Sequence, residues 1–256
     1  MRKLLVIADP HAGNVAGLAP PGYRCDRVRE LQEKFYDWYK PEIKKRAPYD
    51  ALLALGDLTD GEGKKGQLDT FETDVHKQAE AAALIIQEAG VDPNYIRLVA
   101  GTPFHTNGVL EYEQIVADIL GCSIKPIQKF EIEGWKIHGK HVAGRSDIPY
   151  GQGTPLLKEL TRLEAEAFKE GKDAPDIVLR GHVHYSMIVR KHNRIAATVP
   201  CLELPISGAN SRRYSAWEYD VGFDVIYLEE GRFPEIEEVI MPIKILKEEG
   251  YECLKW

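Results

Sequence analysis

Short apolar runs that do not alternate with polar residues punctuate the first 100 positions of the chain. Residues 3–8, 51–55 and 96–100 are of this kind, and such runs are typical of parallel strands that are buried on both faces. Between the first two runs, residues 26–46 repeat their apolar side chains at helical spacing, which predicts a crossover helix. The chain is therefore constrained to an α/β fold built around a parallel sheet.

Further helices and strands follow along the chain. A helix is expected to start at Asp69, with Glu72 as its capping-box partner, and to end at Gly90. Two more helices are predicted over residues 109–120 and 155–169, and a strand is predicted over residues 176–179. Short β-type runs separated by turn residues then occupy residues 187–190, 195–199, 222–228 and 236–241.

These elements predict the organisation of the whole chain. The late β-type runs indicate a second, mostly antiparallel sheet, so the simplest architecture is two sheets flanked by helices. We expect one domain over residues 1–256. Its core motifs lie in residues 3–184, and residues 185–256 are expected to complete the second sheet.

Composition and charge narrow the class of protein. Of 256 residues, 44% are hydrophobic and 29% are charged, with a formal net charge of -7, which is ordinary for a globular chain. No run of five basic residues gives the positive surface of a protein that binds duplex nucleic acid. The apolar run at residues 3–8 is too short for a signal peptide or a membrane span.

The cysteines are widely spaced: Cys25, Cys122, Cys201 and Cys253. We expect reduced thiols, a cytoplasmic location and no membrane anchor.

Four polar loops come directly after predicted strands. They are Asp9-Pro-His11, Gly56-Asp57-Leu-Thr-Asp60-Gly61, Gly101-Thr-Pro-Phe-His105 and Gly181-His182-Val-His184. Sites in open α/β sheets form at the carboxyl ends of the strands, so we expect these loops to converge.

The residue types in these loops are those that hold metal ions. Asp9 and His11 offer a carboxylate oxygen and an imidazole nitrogen to one ion, although a capped turn with a solvated histidine explains that pair equally well. The carboxylate of Asp57 is able to bridge two ions about 3.5–4 Å apart. His182 and His184 lie in one turn that starts at a glycine. Packing does not explain two histidines there, whereas ligation of Zn, Fe or Ni does.

The order of these motifs resembles the calcineurin-like metallophosphoesterases. D-x-H, GDxxDG, a glycine-to-histidine loop, a further histidine and GHxH follow one another within residues 3–184. The resemblance implies a four-layer αββα sandwich of two mixed β-sheets flanked by helices, with a dinuclear metal centre. The implied ligands are Asp9, His11 and His184 for one ion, Asp57 as the bridge, and His141 and His182 for the other ion.

The third loop departs from that family pattern. The family has Gly-Asn-His followed by an acidic residue, whereas this chain has Gly101-Thr-Pro-Phe-His105. We expect His105 to be the proton-donating histidine and Thr102 to be a weak or outer ligand, so that the second ion binds less tightly. Ligation by His105 and by Asn107 stays open. Asp60 is expected to be structural or to support a ligand.

Two histidines compete for the fifth ligand position. His138 lies near the middle of a predicted strand, and His141 lies where that strand gives way to a loop. We choose His141 because ligands in α/β sites cluster at strand ends. Candidates for phosphate contacts are Arg145, Arg212 and Arg213, since a guanidinium group matches two phosphate oxygens.

The motifs together predict a metal-dependent phosphoric ester hydrolase that acts on phosphomonoesters or phosphodiesters, with nucleotides and nucleic acid among the substrates considered. Two divalent ions, drawn from Mn, Fe, Ni or Zn, are expected. A hydroxide between them would attack phosphorus in line while Asp57 holds the ions and His105 protonates the leaving group.

Two alternative functions remain. One is a DNA or RNA nuclease that uses Lys64, Lys65 and the arginine pair. The other is a non-catalytic, metal-stabilised interaction protein, which the altered third loop makes conceivable.

Overall fold

A computed structural model of the chain describes residues 1–62, 69–103, 105, 111–146, 148–205 and 219–242. The helices are α1 (Arg29–Arg46), α2 (Val75–Gln87), α3 (Glu111–Leu120) and α4 (Thr154–Glu170). The strands are β1 (Arg2–Ile7), β2 (Ala51–Ala54), β3 (Ile96–Val99), β4 (Ser123–Lys125), β5 (Ile127–Ile132), β6 (Trp135–Lys140), β7 (Ile177–Arg180), β8 (Met187–Lys191), β9 (Arg194–Thr198), β10 (Gly222–Glu229) and β11 (Arg232–Ile240). Each of the three early apolar runs forms a strand, as predicted.

These strands form two mixed sheets. The six-stranded sheet has the order β11-β10-β1-β2-β3-β4, parallel from β1 to β4 and antiparallel where β10 and β11 join it. The five-stranded sheet has the order β5-β6-β7-β9-β8, in which β6, β7 and β9 are parallel. The backbone N–H of His182, after β7, donates to Asp9 Oδ2, after β1, at 3.0 Å. The carboxyl ends of β1 and β7 therefore meet at the same end of the molecule.

Three hydrophobic cores separate four layers. Helices α1, α2 and α3 cover the outer face of the six-stranded sheet through side chains such as Phe35 and Ile85. The two sheets pack face to face through residues such as Leu53 and Leu179, and α4 covers the five-stranded sheet through Leu160. The predicted αββα sandwich of two mixed sheets flanked by helices is confirmed.

Helix α2 starts later than predicted. It begins at Val75, and the side chain of Asp74 caps its N-terminus. Residues 69–72 are hydrogen bonded instead to the loop after β1, where Gly13 O accepts from the backbone N–H of Phe71 at 2.9 Å. The predicted capping box is wrong because the backbone groups of this segment are used between two loops rather than within a helix.

The last two strands belong to the first sheet. β10 pairs with β1 between Arg2↔Leu228 and Val6↔Asp224, and β11 pairs with β10. Only β8 and β9 extend the second sheet, so the prediction that residues 185–256 complete it is wrong for β10 and β11. The prediction that this sheet is mostly antiparallel is also wrong. Strand β10 is apolar on both faces, with side chains in the helix-covered core and in the core between the sheets, and such a strand needs cover on both sides.

Three of the four cysteines lie in the described part of the chain. Cys25, Cys122 and Cys201 are free cysteines, and Cys253 lies outside the described residues. Among the described residues, no helix combines the length and the apolar character needed to cross a bilayer.

Candidate metal centre

The loops at the carboxyl ends of four strands converge on one buried site. Asp9 and His11 follow β1, Asp57 follows β2, His141 follows β6, and His182 and His184 follow β7. Their ligand atoms form three overlapping groups, each within 4.8 Å: Asp9 with His11 and His184, His11 with Asp57 and His105, and Asp57 with His141 and His182. The structure thus brings together the six Asp and His residues that the sequence indicates as ligands.

Asp9 lies in the middle of this set. Its Oδ1 atom is 3.3 Å from His184 Nε2, 3.8 Å from His141 Nε2 and 3.9 Å from His11 Nε2. Asp57 lies against the same histidine, with its Oδ2 atom 3.0 Å from His141 Nε2. Carboxylate oxygens and imidazole nitrogens therefore face one small space, and this mixture of donors suits divalent transition metals.

The backbone is strained at five of these positions. Asp9, His11, Asp57, His182 and His184 have φ angles of 54°, 43°, 47°, 73° and 59°, in the left-handed region that non-glycine residues seldom adopt. Each such residue costs of order 1–3 kcal/mol. The other described non-glycine residues with positive φ, Glu133 and His192, lie in the turns of β-hairpins. Strain outside the hairpins is therefore concentrated where the candidate ligands are.

Buried donor atoms in the site lack hydrogen bonds. Within the described chain this holds for Asp9 Oδ1 and His11 Nε2, and an unpaired buried polar group costs about 1–3 kcal/mol. His141 Nδ1 donates to the carbonyl oxygen of Leu55. Because a carbonyl only accepts, the proton of the neutral ring lies on Nδ1 and Nε2 keeps its lone pair. These residues fit a metal ion.

The charges of the metal-free site stabilise one another. Burial opposes the ionisation of Asp9 and Asp57, but the nearby histidines, His141 foremost, hold the pKa of both carboxyls below its usual range. Burial likewise opposes the protonation of His11 and His141, yet the carboxylates, led by Glu203 and Asp57 respectively, raise their pKa values to about 9 and about 10. A metal ion that binds here replaces imidazole protons.

The third loop places Thr102 against Asp57. The backbone N–H of Thr102 donates to Asp57 Oδ1 at 2.6 Å, and its hydroxyl donates to the same oxygen at 3.1 Å. Gly101 allows this close approach, because a Cβ atom there would lie 2.2 Å from Asp57 Oδ1. Thr102 therefore orients Asp57, as an outer residue of the site does.

His105 lies beside the centre and is held by Asp60. Its Nδ1 atom is 2.9 Å from the carbonyl oxygen of Asp60 and 3.5 Å from Asp60 Oδ1. Its ring meets His11 edge-on, with the centroids 4.6 Å apart. Burial and then the charge of His11 lower the pKa of His105. The carboxylate of Asp60 also accepts from Asn14 at 3.1 Å and from the hydroxyl of Thr70, so Asp60 links these two side chains to His105.

Glu113 supports the centre and was not predicted. It is fully buried, and its carboxylate accepts from the backbone N–H of Leu58 at 2.9 Å and from that of Gly101 at 2.6 Å. It therefore ties the loop after β2 to the loop after β3. The sequence carries a signal for it, since Glu113 shares the buried face of α3 with Val116 and Ala117, and an unpaired charge there is costly.

Glu203 is a second residue that the sequence did not reveal. Its Oε2 atom lies 3.1 Å from His184 Nδ1, and both side chains are buried. The ring of Tyr219 meets the same imidazole edge-on, with the centroids 5.1 Å apart. No local pattern marks either residue, because both come from the chain beyond β9.

The remaining predicted residues do not belong to the three donor groups. His138 faces α4, where its Nδ1 atom is 3.2 Å from Arg180 Nη1, and Arg180 pairs with Glu159 at 2.5 Å. Arg145 is partly buried in the loop that follows His141. Other predicted residues lie outside the described chain: Lys64, Lys65, Asn107, Arg212 and Arg213.

Comparisons with known proteins find likenesses among solved structures. No protein-family model matches the chain, and no curated protein matches it. An archaeal phosphodiesterase is 13% identical, over 93% of this chain and 99% of that chain, with a TM-score of 0.49. The zinc complex of Vps29 from Entamoeba histolytica is 15% identical, over 93% and 98%, with a TM-score of 0.46. A predicted phosphoesterase from Streptococcus pneumoniae is 13% identical, over 94% and 93%, with a TM-score of 0.42.

The fold and the donor groups agree with the resemblance that the sequence motifs carry. Two mixed sheets flanked by helices, with Asp and His donor groups at the carboxyl ends of the strands, are what the resemblance to the calcineurin-like metallophosphoesterases implies. That resemblance is confirmed in the fold. The donor groups fit divalent metal ions.

Proposed function

We propose that the protein is a dinuclear metal-dependent phosphoesterase that hydrolyses phosphomonoesters or phosphodiesters. The observation that carries this proposal is the convergence of two donor groups, one around Asp9 and one around Asp57. Two carboxylates within reach of the same imidazole, that of His141, suit a pair of ions about 3.5–4 Å apart.

The ligands divide between the two ions. Asp9, His11 and His184 would hold one ion, His141 and His182 would hold the other, and Asp57 would bridge them. Mn, Fe, Ni and Zn all suit this donor set. When bound, the pair supplies a water of lowered pKa and positive charge for the phosphate oxygens. With Thr102 as an outer residue only, the ion held by His141 and His182 has fewer side-chain ligands and is expected to bind less tightly.

His105 is the proposed proton donor to the leaving oxygen. The hydrogen bond from its Nδ1 atom to the carbonyl oxygen of Asp60 fixes the ring beside the donor group of His11 and Asp57. Histidine is the side chain most often used for such a proton transfer. Thr102 acts differently, by holding the carboxylate of Asp57 in one orientation.

The experiment compares two esters on metal-stripped protein. Hydrolysis of bis-p-nitrophenyl phosphate and of p-nitrophenyl phosphate is followed as manganese, nickel or zinc is added back. Asp57→Asn is expected to abolish turnover. Asp50→Asn serves as the matched control, because Asp50 contacts Arg2 at the other end of β2. Turnover without added metal, or undiminished turnover in Asp57→Asn, would contradict the proposal.

A non-catalytic role is the second candidate. It is favoured by the third loop, where the hydroxyl of Thr102 is bonded to Asp57 in the position at which the family resemblance implies an amide ligand. Two equivalents of bound metal with a raised melting temperature, and no turnover of either ester, would support this metal-stabilised role. Turnover confined to DNA or RNA, with binding that weakens steeply as salt rises, would instead identify a nuclease.

A further inference from the structure

A short segment beyond β9 carries a buried carboxylate to the histidine centre. In residues 201–204, the backbone N–H groups of Leu202 and Leu204 donate to the loop after β1 at 2.9 Å and 2.8 Å. Both leucines pack in the helix-covered core. Glu203, between them, faces His184 instead. The segment is thus fixed by its backbone and by its leucines, which places the carboxylate of Glu203 against the centre.

That carboxylate contacts one imidazole ring of the centre. Oε2 of Glu203 lies 3.1 Å from His184 Nδ1, while Nε2 of the same ring lies 3.3 Å from Asp9 Oδ1. The ring of His184 therefore has a carboxylate at each of its nitrogen atoms. Asp9 belongs to a donor group that fits a metal ion, whereas Glu203 belongs to none of the three donor groups.

The two nitrogens of a ligating histidine have different tasks. One nitrogen binds the ion, and the other carries the proton of the neutral ring. With Nε2 of His184 toward the ion, its Nδ1–H faces Glu203. A carboxylate in this position fixes the orientation of the ring and makes the ligating nitrogen more basic. His141 is supported in a similar way, because its Nδ1 donates to the carbonyl oxygen of Leu55.

Burial makes this contact costly to keep without a partner. Glu203 is 0% exposed and His184 is buried, and a buried charge is retained where it is paired or serves a metal site. Because Glu203 lies outside the donor groups, its contact with His184 is what connects it to the centre.

We propose that Glu203 is a positioning residue that sets the affinity of one metal ion, the ion that His184 holds. The donor group of Asp57 with His141 and His182 does not contain His184, so the second ion does not depend on this contact. The proposal rests on the metal centre of the proposed function but not on turnover of an ester.

Competition between the protein and a chromophoric chelator for zinc tests the proposal. In the wild-type protein the competition is expected to resolve two dissociation constants. Glu203→Leu is expected to weaken binding of one ion by about 10–100-fold and to leave the other unchanged. Glu203→Gln keeps an oxygen that accepts from Nδ1 and is expected to lose less affinity than Glu203→Leu.

Leu202→Ala is the matched control for Glu203→Leu. It removes packing from the same segment, but Leu202 faces the helix-covered core, so the protein is expected to melt lower with both dissociation constants unchanged. Cys201→Ala is a second control. The thiol of Cys201 donates to the backbone oxygen of Glu203 at 3.3 Å and is also bonded to His184; its loss is expected to leave zinc affinity unchanged.

Four outcomes would overturn the proposal. The first is a wild-type protein that binds no zinc, and the second is a Glu203→Leu protein that binds both ions as the wild type does. The third is equal weakening in Leu202→Ala and Glu203→Leu, which would assign the effect to packing of the segment. The fourth is weakening in Cys201→Ala alone, which would assign it to the thiol.

The proposed function and this inference fail separately. Two bound ions, one of them weakened by Glu203→Leu, would support the positioning role even if neither ester is hydrolysed. If Glu203→Leu does not fold, Glu203→Gln is loaded with Co²⁺, and the absorption bands of one of the two cobalt ions are expected to shift. Bands identical to those of the wild type would then refute the role of Glu203.

Discussion

Replacing Gly101 by alanine forces a new methyl group into the space of Asp57. The added Cβ would lie 2.2 Å from Asp57 Oδ1 and 2.3 Å from its backbone nitrogen, so both the carboxylate and the backbone of Asp57 have to move, by about 1 Å, to reach ordinary contact. Overpacking of this kind costs about 1–3 kcal/mol. The movement also breaks the 2.6 Å hydrogen bond from Thr102 to Asp57, and a hydrogen bond to a charged group contributes about 1.5–3 kcal/mol.

We therefore expect Gly101→Ala to lower the free energy of unfolding by about 2.5–6 kcal/mol, the sum of those two costs. Because a residue that orients a ligand sets metal affinity, we also expect that affinity to fall by about 10–100-fold. Urea denaturation of metal-stripped protein measures the first effect, and competition with a chelator measures the second.

Gly171→Ala is the matched control for this experiment. Gly171 has a φ of 62° and nothing within 4 Å of an added Cβ, so alanine there meets backbone strain but no neighbour. A loss of about 1 kcal/mol with unchanged metal affinity is expected. A Gly101→Ala protein that binds metal as the wild type does, or that loses less stability than Gly171→Ala, would refute this reasoning.

Three further outcomes are expected. His105→Ala should slow hydrolysis of alkyl phosphate esters by about 10²–10⁴-fold and affect p-nitrophenyl esters far less, since p-nitrophenolate leaves without a proton; equal losses on both esters would argue against a proton donor. Glu113→Ala should lower the free energy of unfolding by about 2 kcal/mol or more, because two buried N–H groups lose their acceptor, whereas exposed Glu166→Gln should change it little in the same urea titration. Burial and then the charge of Arg180 lower the pKa of His138 to about 4, so the neutral ring contributes stability above pH 6.5 that is lost as the pH falls toward 4. His138→Gln should therefore flatten the plot of unfolding free energy against pH in that range. An unchanged plot would contradict the lowered pKa.

The sequence predicted the parts of this molecule that local patterns control. The strands β1, β2, β3 and β7 are visible in the sequence as apolar runs. The candidate ligands were found because polar residues at the carboxyl ends of strands converge in an α/β sheet. His141 was separable from His138 on the same ground, since only one of them lies at the end of β6.

The parts that the sequence did not predict depend on distant pairing. Whether β10 lies beside β1 or in the other sheet is decided by contacts between residues more than 200 positions apart, which no local pattern records. The start of α2 was misplaced because residues 69–72 bond to the loop after β1. Glu203 was not predicted for the same reason, since its partner His184 lies in a different loop.

At the candidate ligands, the left-handed backbone lowers the stability of the fold at the same residues whose side chains would bind metal. Glycine adopts positive φ without steric cost, so replacing Asp9, His11, Asp57, His182 or His184 by glycine would relieve strain that the metal-free fold has to absorb. Strained residues of this kind persist where the surrounding structure fixes them, and they cluster at functional sites. Variants selected for melting temperature alone, in a medium without metal, are therefore expected to lose these aspartates and histidines early and to keep the sandwich that carries them.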